Sequence, residues 1–311
     1  MSMQFEENVS LARYSNLQVG GPARYFKAVS TREDLIEALQ TARAMDLPVF
    51  VLGGGTNILW SDRGYDGLVL KPEISFIRRD GDTITAGVAV TMAALVDFSV
   101  KEGLAGLDWA GGLPGTFGGA IFGNAGCFGG EIKDSVAEVE SVDIVSARPV
   151  KRGNKECHFG YRDSIFKSED THEIIVQATL RLKKGDPVEL ARRIVEQKQY
   201  REERQPLDRP NIGSFFKNVR IEDLPKGLVN TYQHVIKTDP FPVIPAAYLI
   251  HEAGLKGTAV GRAMVSPKHP NFLVNMGGAE AQDFIQLIAR VKEGVRRKTG
   301  IELEEEIRMI K

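Results

Sequence analysis

The most glycine-rich part of the chain carries no charged side chain over 22 positions. It runs Trp109-Ala110-Gly111-Gly112-Leu113-Pro114-Gly115-Thr116-Phe117-Gly118-Gly119-Ala120-Ile121-Phe122-Gly123-Asn124-Ala125-Gly126-Cys127-Phe128-Gly129-Gly130. Its length would suit a membrane span, but nine of these residues are glycine, so it offers lipid little side-chain surface and has a low helix propensity. Because glycine lets main-chain amides approach a ligand closely, the pattern predicts a binding site built from backbone.

Another glycine cluster lies earlier in the chain and is called the first cluster, the charge-free stretch being the second. It follows the short apolar run 48–52, which is typical of a strand. It reads Gly53-Gly54-Gly55-Thr56-Asn57. Such a turn exposes several main-chain N–H groups and therefore suits a phosphate, although it matches neither the dinucleotide fingerprint nor the P-loop. Two clusters, each with a hydroxyl and an amide, predict a site for one large ligand with two phosphates. The alternative is a tightly turned, β-rich core.

Composition excludes several classes of protein. The chain has 311 residues, enough for two or three domains, and 40 basic against 41 acidic residues give a net charge of −1. That balance argues against a bulk nucleic-acid or membrane binder. Two cysteines and a polar N-terminus without an apolar signal segment indicate a reducing, cytoplasmic location. The five histidines have no metal-site spacing, so we expect no metal.

Hydrophobic periodicity predicts alternating helices and strands. Helices are expected near residues 31–45, 91–102, 187–204, 246–253 and 282–299, and strands near 68–70, 83–87, 139–145, 174–182, 272–275 and 306–310. The polar, proline-rich segment 205–211 is the predicted domain boundary. Residues 219–245 are expected to form a long, irregular loop.

Several motifs in order resemble one family of enzymes. They are Asn16-Leu17-Gln18-Val19-Gly20-Gly21-Pro22-Ala23, Leu52 to Asn57, Gly111 to Gly126, Gly160-Tyr161-Arg162-Asp163-Ser164, Gly213-Ser214-Phe215-Phe216-Lys217-Asn218, Ala253-Gly254-Leu255-Lys256-Gly257, Val265-Ser266-Pro267-Lys268-His269-Pro270-Asn271-Phe272 and Glu306-Ile307-Arg308. Together they resemble the UDP-N-acetylenolpyruvoylglucosamine reductase family over nearly the whole chain. Arg162 and Ser214 are only 52 positions apart, which resembles the branch of the family without a tyrosine-bearing lid loop.

The resemblance implies an α+β fold. It implies an FAD-binding domain of the vanillyl-alcohol-oxidase (PCMH) type in two subdomains, residues 1–70 and 71–205, and a C-terminal α+β substrate-binding domain for the UDP-sugar at 206–300. The last strand, within 301–311, is expected to return to the first subdomain. Non-covalent FAD would be held by the glycine clusters, through Gly53, Gly54, Gly55, Thr56, Asn57, Gly112, Pro114, Gly115, Thr116, Gly119, Asn124, Ala125 and Gly126.

The implied activity is the reduction of UDP-N-acetylglucosamine enolpyruvate to UDP-N-acetylmuramate, a precursor of peptidoglycan. NADPH would reduce FAD and leave, after which the enolpyruvyl sugar would bind and accept the hydride. We expect a monomer with no nucleic-acid or membrane partner. Two alternatives stay open, namely another flavin oxidoreductase of the same fold and a non-catalytic UDP-sugar-binding protein.

The chemistry needs a group for the carboxylate, one for the enolate and a proton donor. A guanidinium binds a carboxylate bidentately, and the resemblance gives this role to Arg162, with Tyr161 beside it. It gives proton donation to Ser214 and stabilisation of the enol to Glu306. The alternatives are a surface ion pair with Asp163 for the arginine, a turn or cap residue for the serine, and a solvent-facing edge for the glutamate.

The UDP-sugar needs cations and amide donors. The predicted substrate-binding residues are Tyr161, Lys217, Asn218, Lys268 and His269. His269 is equally explained as a structural loop histidine. Arg262 stands where the family usually has a small residue, which is explained by an exposed substitution. The loop at 219–245 resembles an insertion and is a candidate for a flap over the site.

Overall fold

A computed structural model describes residues 3–168, 171–238 and 241–310 and divides the chain into two compact units. The first unit comprises Met1–Val9, Ala23–Gly54 and Asp66–Tyr200. The second comprises Ser10–Pro22, Gly55–Tyr65 and Arg201–Lys311. The second unit therefore contains two short N-terminal segments besides the C-terminal part of the chain. The three-domain division with boundaries at residues 70, 205 and 300 stays a prediction.

The described residues form a mixture of helices and strands. The helices are α1 (Arg32–Ala44), α2 (Met92–Lys101), α3 (Phe117–Phe122), α4 (Pro187–Arg204), α5 (Lys226–Tyr232), α6 (Ala246–Glu252) and α7 (Ala281–Thr299). The strands up to residue 184 are β1 (Glu6–Ser10), β2 (Pro22–Val29), β3 (Val49–Val51), β4 (Ile58–Trp60), β5 (Tyr65–Pro72), β6 (Ile77–Asp80), β7 (Thr83–Gly87), β8 (Leu104–Ala105), β9 (Gly126–Cys127), β10 (Gly130–Glu131), β11 (Val136–Asp143), β12 (Pro149–Gly153), β13 (Glu173–Arg181) and β14 (Lys183–Lys184). Among these, β4 lies in the second unit. Those that follow are β15 (Val219–Arg220), β16 (Val243–Ile244), β17 (Ala259–Val260), β18 (Ala263–Val265), β19 (Leu273–Asn275) and β20 (Arg308–Ile310).

The first unit is organised around two sheets. One has the strand order β12-β11-β13-β7-β6 with antiparallel neighbours, and the other has the order β1-β2-β5-β3, in which β3 and β5 are parallel. β13 serves two cores, and a β-bulge changes which of its residues face each one. Ile174 and Val176 pack with Leu35 and Leu39 of α1, whereas the neighbouring Ile175 lies in the other core, as the two-residue period of a strand requires. The register shifts between Ile175 and Gln177, so Ala178 and Leu180 beyond the bulge pack with the residues of α2 and α3.

Threonine side chains begin the first three helices. The hydroxyls of Thr31, Thr91 and Thr116 each accept a hydrogen bond from the main-chain N–H three residues later, at 3.0, 3.2 and 3.4 Å. Each cap satisfies one donor that the helix leaves unpaired and contributes about 1 kcal/mol. The third of these caps lies within the glycine-rich stretch and fixes where α3 starts.

The second unit is built on α7 and a small antiparallel sheet of β17, β18 and β19. Phe284, Leu287 and Val291 of α7 are fully buried in a core that also contains Phe215 and Phe216. The carboxylate of Asp62 accepts hydrogen bonds from two N–H groups at the start of α7, Ala281 at 2.7 Å and Gln282 at 3.1 Å. The last strand, β20, pairs in parallel with β4.

Residues 219–238 and 241–245 contain regular elements where an irregular loop was predicted, and residues 239–240 of that prediction lie outside the described part of the chain. Val219–Arg220 pairs with Val243–Ile244 at the base of the segment, and α5 lies between them. Tyr232 at the end of α5 is buried and packs edge-on against Tyr248 of α6, with ring centroids 6.3 Å apart. The proline-based prediction was wrong here because Pro225 stands immediately before α5, a position where proline starts a helix. A flap role for this segment stays a prediction.

Gly55 provides a test of how tightly the glycine clusters are packed. It has φ +65°, and an added Cβ would lie 1.8 Å from the carbonyl oxygen of Tyr14. Gly81 has a similar φ of +57°, but nothing lies within 4 Å of an added Cβ there. We therefore expect Gly81→Ala to cost about 1–2 kcal/mol from the left-handed conformation alone, and Gly55→Ala to cost roughly 4 kcal/mol or more. Denaturant unfolding of both variants would measure this, and equal losses would contradict the close packing at Gly55.

Candidate functional site

In the first unit the two glycine clusters touch through their main chains. A Cβ added at Gly54 would lie 3.1 Å from the Cα of Gly115 and 3.3 Å from the main-chain nitrogen of Thr116. One added at Gly53 would lie 3.1 Å from the Thr116 hydroxyl. Gly115 itself has φ +103°, a conformation that glycine adopts readily. The sequence-predicted clusters are therefore one structural feature, and side chains at 53 or 54 would crowd it.

The place where the clusters meet carries unused donors. Across residues 3–168, 171–238 and 241–310, no protein acceptor hydrogen-bonds the main-chain N–H groups of Gly53, Gly54, Gly115 or Thr116. Convergent main-chain N–H groups in a glycine-rich turn bind phosphate oxygens well. These residues fit a dinucleotide such as FAD, whose two phosphates would satisfy the donors.

The last three residues of the first cluster, 55–57, lie in the second unit and hydrogen-bond with residues near both ends of the chain. The carbonyl of Gly55 accepts the N–H of Asn16 at 3.1 Å, and the Asn57 side chain donates to the carbonyl of Glu306 at 3.2 Å. The carbonyl of Asn57 accepts the N–H of Arg308 at 3.0 Å, while Thr56 is half-buried. A predicted cofactor residue, Asn57, and a predicted catalytic residue, Glu306, are thus directly hydrogen-bonded.

The rest of the second cluster lies around α3. Gly119 donates its N–H to the capping hydroxyl of Thr116, and Gly112 has φ +69°. Pro114 is exposed beside Gly115, and Ala125 uses both its N–H and its carbonyl in main-chain hydrogen bonds, with Ala120 at 2.8 Å and Ile132 at 2.9 Å.

Asn124 is used differently from the prediction. It is fully buried, with its amide nitrogen donating to Gly160 at 2.7 Å and Glu131 at 3.2 Å and its amide oxygen accepting from Lys133 at 3.2 Å. Both amide hydrogens are consumed within the protein. Its side chain is therefore a brace within the protein, and its main-chain N–H also donates to the carbonyl of Ile121 at 3.1 Å.

Arg162 occupies the tip of a tight turn in the first unit. Gly160 and Asp163 exchange two main-chain hydrogen bonds, at 3.0 and 3.3 Å, so that Tyr161 and Arg162 are the central residues. Arg162 has φ +54°, which is uncommon for a residue with a side chain and is frequent at functional sites. Its Nη2 donates to the carbonyl of Gly126 at 2.7 Å, and its guanidinium carbon lies 5.3 Å from the Tyr161 ring centroid.

Ser214 and Glu306 belong to the second unit and lie on neighbouring segments. The N–H of Glu306 donates to the carbonyl of Phe215 at 2.8 Å, one residue from Ser214, and Phe216 bridges Glu305. Both Ser214 and Glu306 are half-buried. Among the described residues, no protein group hydrogen-bonds the Ser214 hydroxyl. The hydroxyl is therefore available to a ligand, and no helix cap explains it.

The glutamates near the end of the chain differ in their ion-pair partners. Glu305 receives both hydrogen bonds of the Lys292 ammonium, at 2.9 and 3.0 Å, and Glu304 pairs with Lys217 at 2.5 Å. The Glu305 side chain is accordingly only 22% exposed, whereas that of Glu304 is 70% exposed. Glu302 is exposed. Lys217 would have to leave Glu304, or share it, to bind a substrate.

The other predicted substrate residues also have structural partners. The Asn218 amide oxygen accepts the N–H of Ala246, at the start of α6, at 3.2 Å. The Lys268 ammonium donates to the carbonyl of Glu202 at 2.5 Å, and the exposed Arg262 donates its N–H to Asp283 at 3.0 Å. Exposure of Arg262 favours the simple surface substitution over a role in the site.

His269 is half-buried, and its ring is held by its neighbours in the loop. Its Nδ1 accepts the N–H of Asn271 at 3.3 Å, and its ring packs edge-on against Phe272 with centroids 4.7 Å apart. Burial lowers the pKa of His269, and the nearby Lys237 and Lys256 add a smaller effect in the same direction. A neutral ring offers a nucleotide a hydrogen bond rather than a positive charge.

The lowered pKa of His269 predicts a pH dependence of stability. Below about pH 6.5 the unfolded chain takes up a proton that the folded ring resists. The free energy of unfolding therefore decreases as the pH is lowered, until the pKa of the folded protein is reached. We expect the drop in urea midpoint between about pH 8 and about pH 5.5 to be smaller in His269→Asn, whose amide keeps an acceptor near Nδ1. His158→Asn at an exposed position with φ +44° is the matched control. An unchanged drop in His269→Asn would contradict the assignment.

Asn271 is a site residue that the sequence reasoning missed. It is buried, and its side chain both donates to the carbonyl of Phe216 at 2.9 Å and accepts its N–H at 3.0 Å. Its carbonyl also accepts the N–H of Phe215 at 2.9 Å. The segment that carries Ser214 is therefore clamped between Asn271 and residues 304–306. The sequence signal for this residue was its place in the motif Val265 to Phe272, which resembles the family.

Among the described residues, no group of three or more His, Cys, Asp or Glu side chains could hold a metal ion. None of the helices in those residues is both long and apolar enough to span a bilayer.

Comparison with known families matches both parts of the chain. The family described as "FAD binding domain" matches residues 23–148. The family described as "UDP-N-acetylenolpyruvoylglucosamine reductase, C-terminal domain" matches residues 205–310. The first match includes the glycine residues that meet in the first unit, and the second includes Ser214 and Glu306.

Individual proteins are similar over nearly the full length. The UDP-N-acetylenolpyruvoylglucosamine reductase of Geobacter metallireducens is 38% identical over 306 residues, 96% of this chain and 92% of the relative. That of Lachnoclostridium phytofermentans is 35% identical over 309 residues, 97% of this chain and 92% of the relative. The solved reductase structure from Thermus caldophilus aligns with a TM-score of 0.78 at 33% identity, over 99% of this chain and 100% of that one. These matches confirm the predicted α+β fold.

Proposed function

This chain belongs to the UDP-N-acetylenolpyruvoylglucosamine reductase family, and on that premise we propose that it reduces UDP-N-acetylglucosamine enolpyruvate to UDP-N-acetylmuramate, with FAD as cofactor and NADPH as hydride donor. The observation that carries the proposal is the close approach of Gly53 and Gly54 to Gly115 and Thr116, with main-chain donors left for two phosphates. We further propose that the enzyme acts as a monomer in the cytoplasm on soluble nucleotide substrates.

FAD would be held chiefly by main-chain groups of the two glycine clusters. When bound, it supplies the hydride, which is chemistry that no side chain can perform. Phosphate oxygens would accept hydrogen bonds from the main-chain N–H groups of Gly53, Gly54, Gly115 and Thr116. The absence of Cβ atoms at 53 and 54 keeps these donors close together.

Arg162 would bind the carboxylate of the enolpyruvyl group. Addition of a hydride to the terminal carbon drives negative charge toward the carbon next to that carboxylate. A guanidinium stays charged and forms two parallel hydrogen bonds with a carboxylate, so it stabilises the charge as it grows. The strained, fixed turn at Gly160–Asp163 supports this role because it orients the group in advance.

Ser214 would deliver the proton to the carbon next to the carboxylate. A serine hydroxyl is a weak acid, so the oxygen must be stabilised or reprotonated as the proton leaves. Glu306 lies on the neighbouring segment, where its carboxyl group can stabilise or protonate the enol. Tyr161, Lys217, Asn218, Lys268 and His269 would contribute to holding the UDP-sugar.

The proposal is tested by the consumption of NADPH with and without UDP-N-acetylglucosamine enolpyruvate. We expect rapid oxidation of NADPH only when the enolpyruvyl sugar is present, with one UDP-N-acetylmuramate formed per NADPH. NADH in place of NADPH measures the choice of donor. Consumption that does not depend on the enolpyruvyl sugar would favour another flavin oxidoreductase, and a colourless protein that cannot be loaded with FAD would favour a binding protein.

A further inference from the structure

We propose that Asn124, Ser164 and Lys167 are positioning residues that fix Arg162 to the second glycine cluster, so that the carboxylate-binding group and the cofactor cradle are built as one rigid piece. The proposal rests on the proposed function, because it assumes that Arg162 binds the substrate carboxylate. It concerns residues that the catalytic assignment does not use.

Side-chain hydrogen bonds join the Arg162 turn to residues 122–126. Asn124 donates to the carbonyl of Gly160 at 2.7 Å, and Ser164 donates to the carbonyl of Phe122 at 2.7 Å. Arg162 itself donates to the carbonyl of Gly126 at 2.7 Å. The turn is therefore held before, at and after the arginine, and each contact ends on a main-chain atom that cannot move without moving the cluster.

The brace is itself fixed on its other side. Asn124 has φ +41° and is fully buried, and its amide also contacts Glu131 and Lys133. The Glu131 carboxylate is buried and paired with the Lys133 ammonium. A Cβ added at Gly126 would lie 2.7 Å from Glu131 Cγ and 3.2 Å from Arg162 Nη1, so this region has no spare room. A small displacement of the brace would therefore reach the guanidinium.

Lys167 stabilises the conformation that the arginine would otherwise avoid. Its ammonium donates to the carbonyl of Arg162 at 2.6 Å. A left-handed conformation costs an L-residue roughly 1–2 kcal/mol and persists only when its surroundings hold it. A charged hydrogen bond to the strained residue's own carbonyl provides that support.

The experiment compares two ligands that differ at the group Arg162 would bind. UDP-N-acetylglucosamine enolpyruvate carries the carboxylate, and UDP-N-acetylglucosamine does not. Calorimetric titration of each into the FAD-loaded protein gives a ratio of affinities that reports on the carboxylate contact alone. Asn124→Gly keeps the left-handed backbone and removes the amide, Ser164→Ala removes the second contact, and Lys167→Met removes the third.

We expect each variant to lower the affinity for the enolpyruvyl ligand by between about tenfold and a hundredfold, while the affinity for UDP-N-acetylglucosamine stays unchanged. Lys167→Arg, which keeps a charged donor, should restore most of the loss. Ser99→Ala is the matched control for Ser164→Ala, because this buried serine in the same unit donates its hydroxyl to the carbonyl of Val96 at 2.8 Å and contacts neither the turn nor the brace. Its affinity ratio should equal that of the parent.

A double-mutant cycle separates this proposal from the proposed function. Arg162→Asn, which tolerates the left-handed conformation, should abolish the preference for the enolpyruvyl ligand, and Ser164→Ala added to it should have no further effect. If Arg162→Asn keeps the preference, the assigned role of the arginine fails. If Arg162→Asn abolishes it while Ser164→Ala and Lys167→Met alone leave it intact, the positioning proposal fails and the proposed function stands.

Discussion

Ser214→Ala is expected to keep the reduction of FAD by NADPH and to lose its reoxidation by UDP-N-acetylglucosamine enolpyruvate. The hydroxyl takes part only in the second half-reaction, where a proton must reach the carbon next to the carboxylate. Loss of a positioned general acid typically slows such a step by about 10²–10⁴-fold. Stopped-flow absorbance of the flavin measures the two half-reactions separately.

Ser61→Ala is the matched control for this experiment. Ser61 lies in the same unit, and its hydroxyl accepts the N–H of Arg63 at 3.2 Å within a local turn. Both half-reactions should keep the parent rate in that variant. Equal reoxidation rates in Ser214→Ala and the parent would remove Ser214 from the mechanism.

Arg162→Asn is expected to have the second largest effect, on the same half-reaction. The guanidinium meets charge that develops at the enolate, and removing one such donor group typically costs about 10²–10³-fold in rate. Asparagine accepts the left-handed backbone at this position, so the turn should survive. Arg162→Lys keeps the positive charge but not the planar guanidinium, so its reoxidation rate should lie between those of Arg162→Asn and the parent.

Arg152→Lys provides the comparison for a structural arginine. In the same unit, the Arg152 guanidinium binds Glu173 through three contacts of 2.5 to 3.2 Å. This substitution should lower stability without changing the reoxidation rate, since the ion pair touches no predicted site residue. A parent-like reoxidation rate in Arg162→Asn would show that the carboxylate is bound elsewhere.

Much of the fold was predictable because the regular elements have strong local signals. The helix beginning at Pro187 and ending at Arg204 was predicted with its bounds, since proline suits the first turn and the polar segment after it cannot continue the helix. The strand at Thr83–Gly87 was also correct. Residues 219–245 were misread because prolines were taken to mark a loop, whereas the buried Tyr232 depends on tertiary packing that no local pattern shows.

The site was predictable to the level of its motifs but not of its partners. The glycine runs indicated close approach of main chains, and Gly53 and Gly54 do meet Gly115 and Thr116. The use of Asn124 as a brace and the clamp at Asn271 depend on residues 36 and 55 positions away in the sequence. Such long-range hydrogen bonds leave no periodic trace, so a single sequence cannot show which amide serves the ligand and which serves the fold.

The most direct test of the central claim follows the flavin absorbance of the purified protein without oxygen. NADPH should bleach the bound FAD, and addition of UDP-N-acetylglucosamine enolpyruvate should restore the colour while forming UDP-N-acetylmuramate. UDP-N-acetylglucosamine added in its place should leave the flavin bleached. A protein that binds FAD, is bleached by NADPH and stays bleached with the enolpyruvyl sugar would contradict the account.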